Sequence, residues 1–142
     1  MVSLLQDKKI YLDANALIYS VEYPESYPGL VEAFLKPLAA GKLKAVTSCI
    51  TLVEVLCKPM SSGDSVLEAV YRAFLTPSDV MEVCAVETEI AERATRIRAA
   101  HGFRTPDAIH IATGIRYECD LFLSRDKAWS RAGVQLVSPD QL

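Results

Sequence analysis

Short apolar runs alternate with stretches of helical spacing along this chain, and that alternation leaves few folds open. Strands separated by helices are satisfied by crossovers, which predicts an α/β fold with a mainly parallel sheet. Strands are expected at 9–13, 44–47, 81–86, 120–124 and 134–138. A helix over 30–40 stops at Gly41, and another begins at Asp64 or Ser65 and ends at 75, before Pro77. In 87–100 the apolar positions Ile90, Ala91, Ala94 and Ile97 mark an amphipathic helix with Gly102 as its stop. Thr105, Pro106 and Asp107 read as N-cap, N1 and N2 of a further helix, whose Ala108, Ile109, Ile111, Ala112 and Ile115 face the core. Loops are expected at 24–28 and 61–64.

A chain of 142 residues, 51% hydrophobic and 23% charged, suits one globular domain, 1–142, without a disordered tail. The N-terminus has too short an apolar stretch for a signal peptide, and no run spans a bilayer, so a cytoplasmic protein is expected. Cys49, Cys57, Cys84 and Cys119 are scattered without a zinc-binding spacing and read as small buried hydrophobes of a reducing compartment. A formal net charge of −3 does not decide for or against nucleic acid.

Four carboxylates sit where apolar segments would not ordinarily tolerate them. Asp13 closes Ile10-Tyr11-Leu12, Glu54 interrupts Leu52-Val53 and Val55-Leu56, Asp107 opens a helix, and Asp126 follows Leu121-Phe122-Leu123-Ser124. Burying an unpaired carboxylate costs several kcal/mol, and no cationic partner is evident beside Asp13 or Glu54. Convergence on one or two divalent cations, Mg²⁺ or Mn²⁺, reconciles them, because these ions prefer oxygen ligands. Asp13 and Asp126 fall at the C-terminal ends of expected strands, where open α/β sheets place ligands.

Taken singly, Asp13 also suits a helix cap, Asp107 a first-turn acid and Asp126 a turn residue. Glu54 is the hardest to explain away, since its helix is expected to be buried nearly all round. Asn15 and Ser124 are candidate supports of the site, and Arg104 and Arg125 candidate contacts to the phosphates of a substrate. His110, one turn beyond Asp107, reads as a satisfied core histidine.

Tyr11-Leu12-Asp13-Ala14-Asn15, Thr51-Leu52-Val53-Glu54-Val55-Leu56, Pro106-Asp107-Ala108-Ile109-His110-Ile111-Ala112 and Phe122-Leu123-Ser124-Arg125-Asp126-Lys127 together resemble the four acidic motifs of PIN domains, in order and spacing. The resemblance covers practically the whole chain. It implies a three-layer fold with a five-stranded parallel sheet in the order 3-2-1-4-5, and ribonuclease activity with Mg²⁺ or Mn²⁺. Asp13, Glu54, Asp107 and Asp126 are then the catalytic and metal-binding residues. A chain of this length is similar to VapC-type toxins, which implies a small antitoxin partner and homodimerisation; Arg125 stands where that family frequently has Asn.

Other readings are a housekeeping RNA-processing nuclease of the same fold, a phosphotransferase of the haloacid-dehalogenase type, and a receiver-like Mg²⁺-binding module. The phosphotransferase wants a second Asp where Asn15 stands, and the receiver wants an acidic pair near the first strand, where Ala14 follows Asp13.

Overall fold

A computed structural model describes residues 4–142. Its five strands, β1 (Lys9–Leu12), β2 (Lys44–Ser48), β3 (Met81–Cys84), β4 (Leu121–Leu123) and β5 (Leu136–Val137), form one parallel sheet in the order β3-β2-β1-β4-β5. Helices cover both faces: α1 (Ala14–Glu22), α2 (Pro28–Leu30), α3 (Lys36–Ala39), α4 (Ile50–Ser62), α5 (Ser65–Phe74), α6 (Thr88–His101) and α7 (Thr105–Arg116). A π-helical stretch, Val31–Leu35, joins α2 to α3. This is the expected three-layer α/β architecture.

Alternation along the strands divides the core. Ile10, Leu12, Ala45, Leu121 and Leu123 point to one cluster with Leu17, Phe34, Val55 and Tyr71. Tyr11, Val46 and Phe122 point to the other, with Ile90, Ile111 and Trp129. The strand period of two thus buries both faces of each central strand.

Most element boundaries are tighter than expected. Asp13 leaves the sheet to become the N-cap residue of α1, and Ser124 and Ser138 likewise lie beyond their strands. The second expected loop shrinks because Ser61 and Ser62 continue α4 up to Gly63, whose φ of 73° ends the helix in the left-handed region. Thr105 is already helical and Arg104 takes the N-cap position, which moves Asp107 one place further into the first turn. Asp64 does cap α5, accepting the Leu67 amide at 3.0 Å. Of the cysteines only Cys84 is buried; Cys57 is exposed on α4, because that helix packs through Thr51, Val55, Leu56 and Pro59 and not all round.

Gly114 marks the closest approach of α7 to the sheet. A Cβ there would stand 2.2 Å from Cε2 and 2.3 Å from Cζ of Phe122, and 3.1 Å from Cγ of Tyr11. Both rings are buried and cannot swing away. Gly114→Ala is expected to lose about 1–3 kcal/mol, read as a lower urea midpoint. An unchanged midpoint would show that α7 can lift off the sheet freely.

Candidate active site at the C-terminal edge of the sheet

Parallel pairing of β1 with β4 brings the chain after Leu12 beside the chain after Leu123. The Asp13 amide donates to the Leu123 carbonyl at 3.0 Å, and the Ser124 hydroxyl donates to Asp13 Oδ2 at 2.6 Å. The Asp13 carboxylate makes no capping bond to α1. It occupies a cap position, but its hydrogen bond goes across the sheet.

Asp13 is only 4% exposed. Burial raises its pKa above the ordinary carboxyl value; His110 and the Ser124 hydroxyl pull it down, while the nearby charges of Glu54 and Asp107 push it up. Asp13 therefore lies within electrostatic reach of two of the other three singled-out carboxylates. Asp126 is arranged differently: its Oδ1 accepts the Ala128 amide at 3.0 Å, capping the short 3₁₀ turn Lys127–Ala132. Its own amide donates to Ser124 Oγ at 3.1 Å, so it meets Asp13 through that serine.

One expectation about partners is corrected. Glu54 is not enclosed: its side chain is 36% exposed, and its Oε1 lies 2.6 Å from Nε2 of a fully buried His110. Asp107 has Arg104, with Nε to Oδ2 at 3.6 Å, although Arg104 is 87% exposed and the pair is correspondingly weak. His110 is indeed a satisfied core group, but the carboxylate that satisfies it belongs to the site.

The second nitrogen of His110 closes a chain of hydrogen bonds. Nδ1 lies 2.6 Å from the Tyr11 hydroxyl, which accepts the Ser48 amide at 3.1 Å. Three bonds run in series: Ser48 amide to the tyrosine hydroxyl, hydroxyl to Nδ1, and Nε2 to Glu54. The ring packs between Tyr11 and Trp129, each with its centroid 5.7 Å away. Thr47 Oγ1 donates to the Leu12 carbonyl at 2.8 Å and pairs with Thr51 Oγ1 at 2.7 Å, tying the start of Glu54's helix to the end of β1.

The sequence contained signals for this network. Tyr11 shares a strand face with position 13 and carries a hydroxyl that a buried site must satisfy. His110 is three residues from Asp107, so the two lie on one face of α7.

The remaining candidates lie at the rim. Asn15 is exposed in the first turn of α1 and makes no hydrogen bond to these carboxylates among the described residues. Arg125 is occupied with Asp140, Nε to Oδ2 at 3.6 Å, and stands over Tyr19. Among the described residues, no three His, Cys, Asp or Glu side chains are grouped so as to hold a metal ion. The site is a set of like charges near one another, not a closed ligand cage.

Solved structures share this architecture. A toxin-antitoxin complex from Klebsiella pneumoniae aligns with TM-score 0.71 at 21% identity, over 94% of this chain and 99% of that one. FitAcB from Neisseria gonorrhoeae gives 0.72 at 21% identity, over 94% and 99%. DNA-bound VapBC from Salmonella typhimurium gives 0.72 at 18% identity, over 93% and 98%. At such identities the likeness is one of fold. No curated protein matches in sequence. A match to the PIN domain runs from residue 10 to residue 135 and takes in all four singled-out carboxylates, and on that match the chain belongs to the PIN domain family.

Proposed function

We propose that this protein is a divalent-metal-dependent endoribonuclease and the toxin of a toxin-antitoxin pair, with Asp13, Glu54, Asp107 and Asp126 as its catalytic and metal-binding residues. The observation that carries the reading is Asp13: a nearly buried carboxylate at the end of the central strand, its ionisation opposed by burial and by Glu54 and Asp107. Few arrangements relieve that cost as well as a cation.

The donor chemistry fits Mg²⁺ or Mn²⁺, since every candidate ligand is a carboxylate oxygen. Asp13, Glu54 and Asp107 would hold the ion first, with Asp126 reaching it from the Ser124 side. A bound ion of this kind lowers the pKa of its water and neutralises charge on a scissile phosphate. The chain's own part is positional. Ser124 fixes one oxygen of Asp13, His110 fixes one oxygen of Glu54, and the threonine pair anchors the helix that presents Glu54. Glu54, partly exposed, is the member turned most toward an approaching strand.

A small antitoxin partner is supported by the fold neighbour from Klebsiella pneumoniae, a toxin-antitoxin complex. We extend the same reading to a homodimer. No helix among the described residues is long and apolar enough to cross a membrane; we place the site of action in the cytoplasm as part of the toxin reading.

Purified protein incubated with a panel of structured and unstructured RNAs should cut in Mg²⁺ or Mn²⁺ and stop in chelator. Cleavage that persists in chelator would remove the metal from the reading. Co-purification of a small inhibitory protein supports the toxin role, whereas harmless overexpression with no such partner favours housekeeping RNA processing. Glu54→Gln should change metal-free stability by less than about 1 kcal/mol, because the amide oxygen still accepts from His110. It should nevertheless reduce the gain in melting temperature that Mn²⁺ gives the wild type by mass action. Equal Mn²⁺ gains would withdraw Glu54 from the metal site.

A further inference from the structure

Beside the carboxylates lies an aromatic arrangement that the proposed chemistry does not use. The Arg125 guanidinium carbon stands 5.6 Å from the centroid of the Tyr19 ring. Tyr19 is stacked on Tyr27, with centroids 4.8 Å apart and planes at 12°. Tyr23, one turn along α1, sets its ring against Tyr19 at 6.4 Å and is 49% exposed. Arg125 directly follows Ser124, the serine bonded to Asp13, so the group starts one residue from the proposed reaction centre.

The charge on Arg125 is partly offset by Asp140, Nε to Oδ2 at 3.6 Å with both side chains half exposed. A guanidinium backed by an aromatic ring and offset by a carboxylate is a poor phosphate clamp but a good planar surface, since Arg stacks on π-systems as Lys does not. Single-stranded nucleic acid is commonly held by such surfaces, each base presenting a π-face regardless of its identity.

We infer that Arg125, backed by Tyr19 and Tyr27 and flanked by Tyr23, is a stacking platform for an unpaired nucleobase of the RNA strand that lies across the carboxylate site. The inference rests on the ribonuclease reading and adds to it a subsite that selects single-stranded over paired RNA.

Its test is binding of a fluorescein-labelled 12-nucleotide single-stranded RNA to the Asp13→Asn protein, followed by anisotropy. Arg125→Lys keeps the charge and loses the plane, and should weaken binding roughly tenfold. Tyr23→Ala, a surface change that leaves the core alone, should weaken it several-fold. An RNA with one abasic nucleotide at the contacted position should bind the parent and Arg125→Lys proteins alike. The slope of log affinity against log salt should be the same for Arg125→Gln as for the parent, whereas loss of a phosphate contact would reduce it by about 0.7. If the parent binds RNA and Arg125→Lys and Tyr23→Ala bind it equally well, the platform is overturned and the ribonuclease reading stands. If the parent binds no RNA, both fall together.

Discussion

Asp13→Asn is expected to lower RNA cleavage by about 10³-fold or more, the scale of losing a principal electrostatic element of an active site, while the protein stays folded. Asn matches Asp in shape, and its amide oxygen can still accept from Ser124. In chelator at neutral pH the variant should melt above the wild type. Burial, assisted by Glu54 and Asp107, raises the Asp13 pKa in the folded state, so the folded protein holds that proton more tightly than the unfolded chain. The resulting stabilisation is complete below the ordinary carboxyl value and is lost as pH rises through the raised one. Asn carries no such dependence. The difference in melting temperature should therefore open as pH rises through the raised value and vanish in acid. A variant that melts below wild type in chelator at pH 7 would mean that His110 and Ser124 more than compensate the buried charge.

The second large effect is expected at His110. Its ring is fully buried between Tyr11 and Trp129, with both nitrogens bonded. His110→Ala removes packing and takes away the acceptor of the Tyr11 hydroxyl proton, which together should cost about 3–5 kcal/mol in urea unfolding. His110→Phe refills much of the space without the bonds and should recover part of that loss. Neither variant can orient Glu54, so both should cleave about 10–100-fold more slowly under conditions where they remain folded. Full activity in a folded His110→Phe protein would show that Glu54 does not depend on His110, and a loss of stability under 1 kcal/mol in His110→Ala would show that the network contributes little.

The five expected strands all recur in the structure, for reasons local to the chain. β1, β2 and β4 are short and buried on both faces, as central parallel strands must be, and helix signals such as Asp64, whose side chain caps α5, and Gly102, whose left-handed backbone ends α6, act locally. The order of strands rested on family resemblance, because pairing between distant segments leaves no local trace. The same limit explains the partners. Glu54 and His110 are 56 positions apart, and Tyr11 and His110 are 99. Periodicity places each on an element but not against the other. Charge was misjudged for a related reason: the apolar look of 51–57 suggested a helix buried all round, yet Val53 is 69% exposed and Glu54 shares that open side. Asp126 shows the complementary case: it is a turn acid that caps Lys127–Ala132, and its own amide is linked to Asp13 through Ser124.

Whether these carboxylates bind a divalent cation is decided most directly by titrating Mn²⁺ into metal-free protein in a calorimeter, with wild type and Asp13→Asn compared at one pH. The wild type should bind Mn²⁺ saturably, and Asp13→Asn should bind it at least ~10-fold more weakly, in line with the loss of a ligand charge from a site assembled around it. Equal affinity in the two proteins, or no saturable binding to the wild type, would contradict the account at its centre.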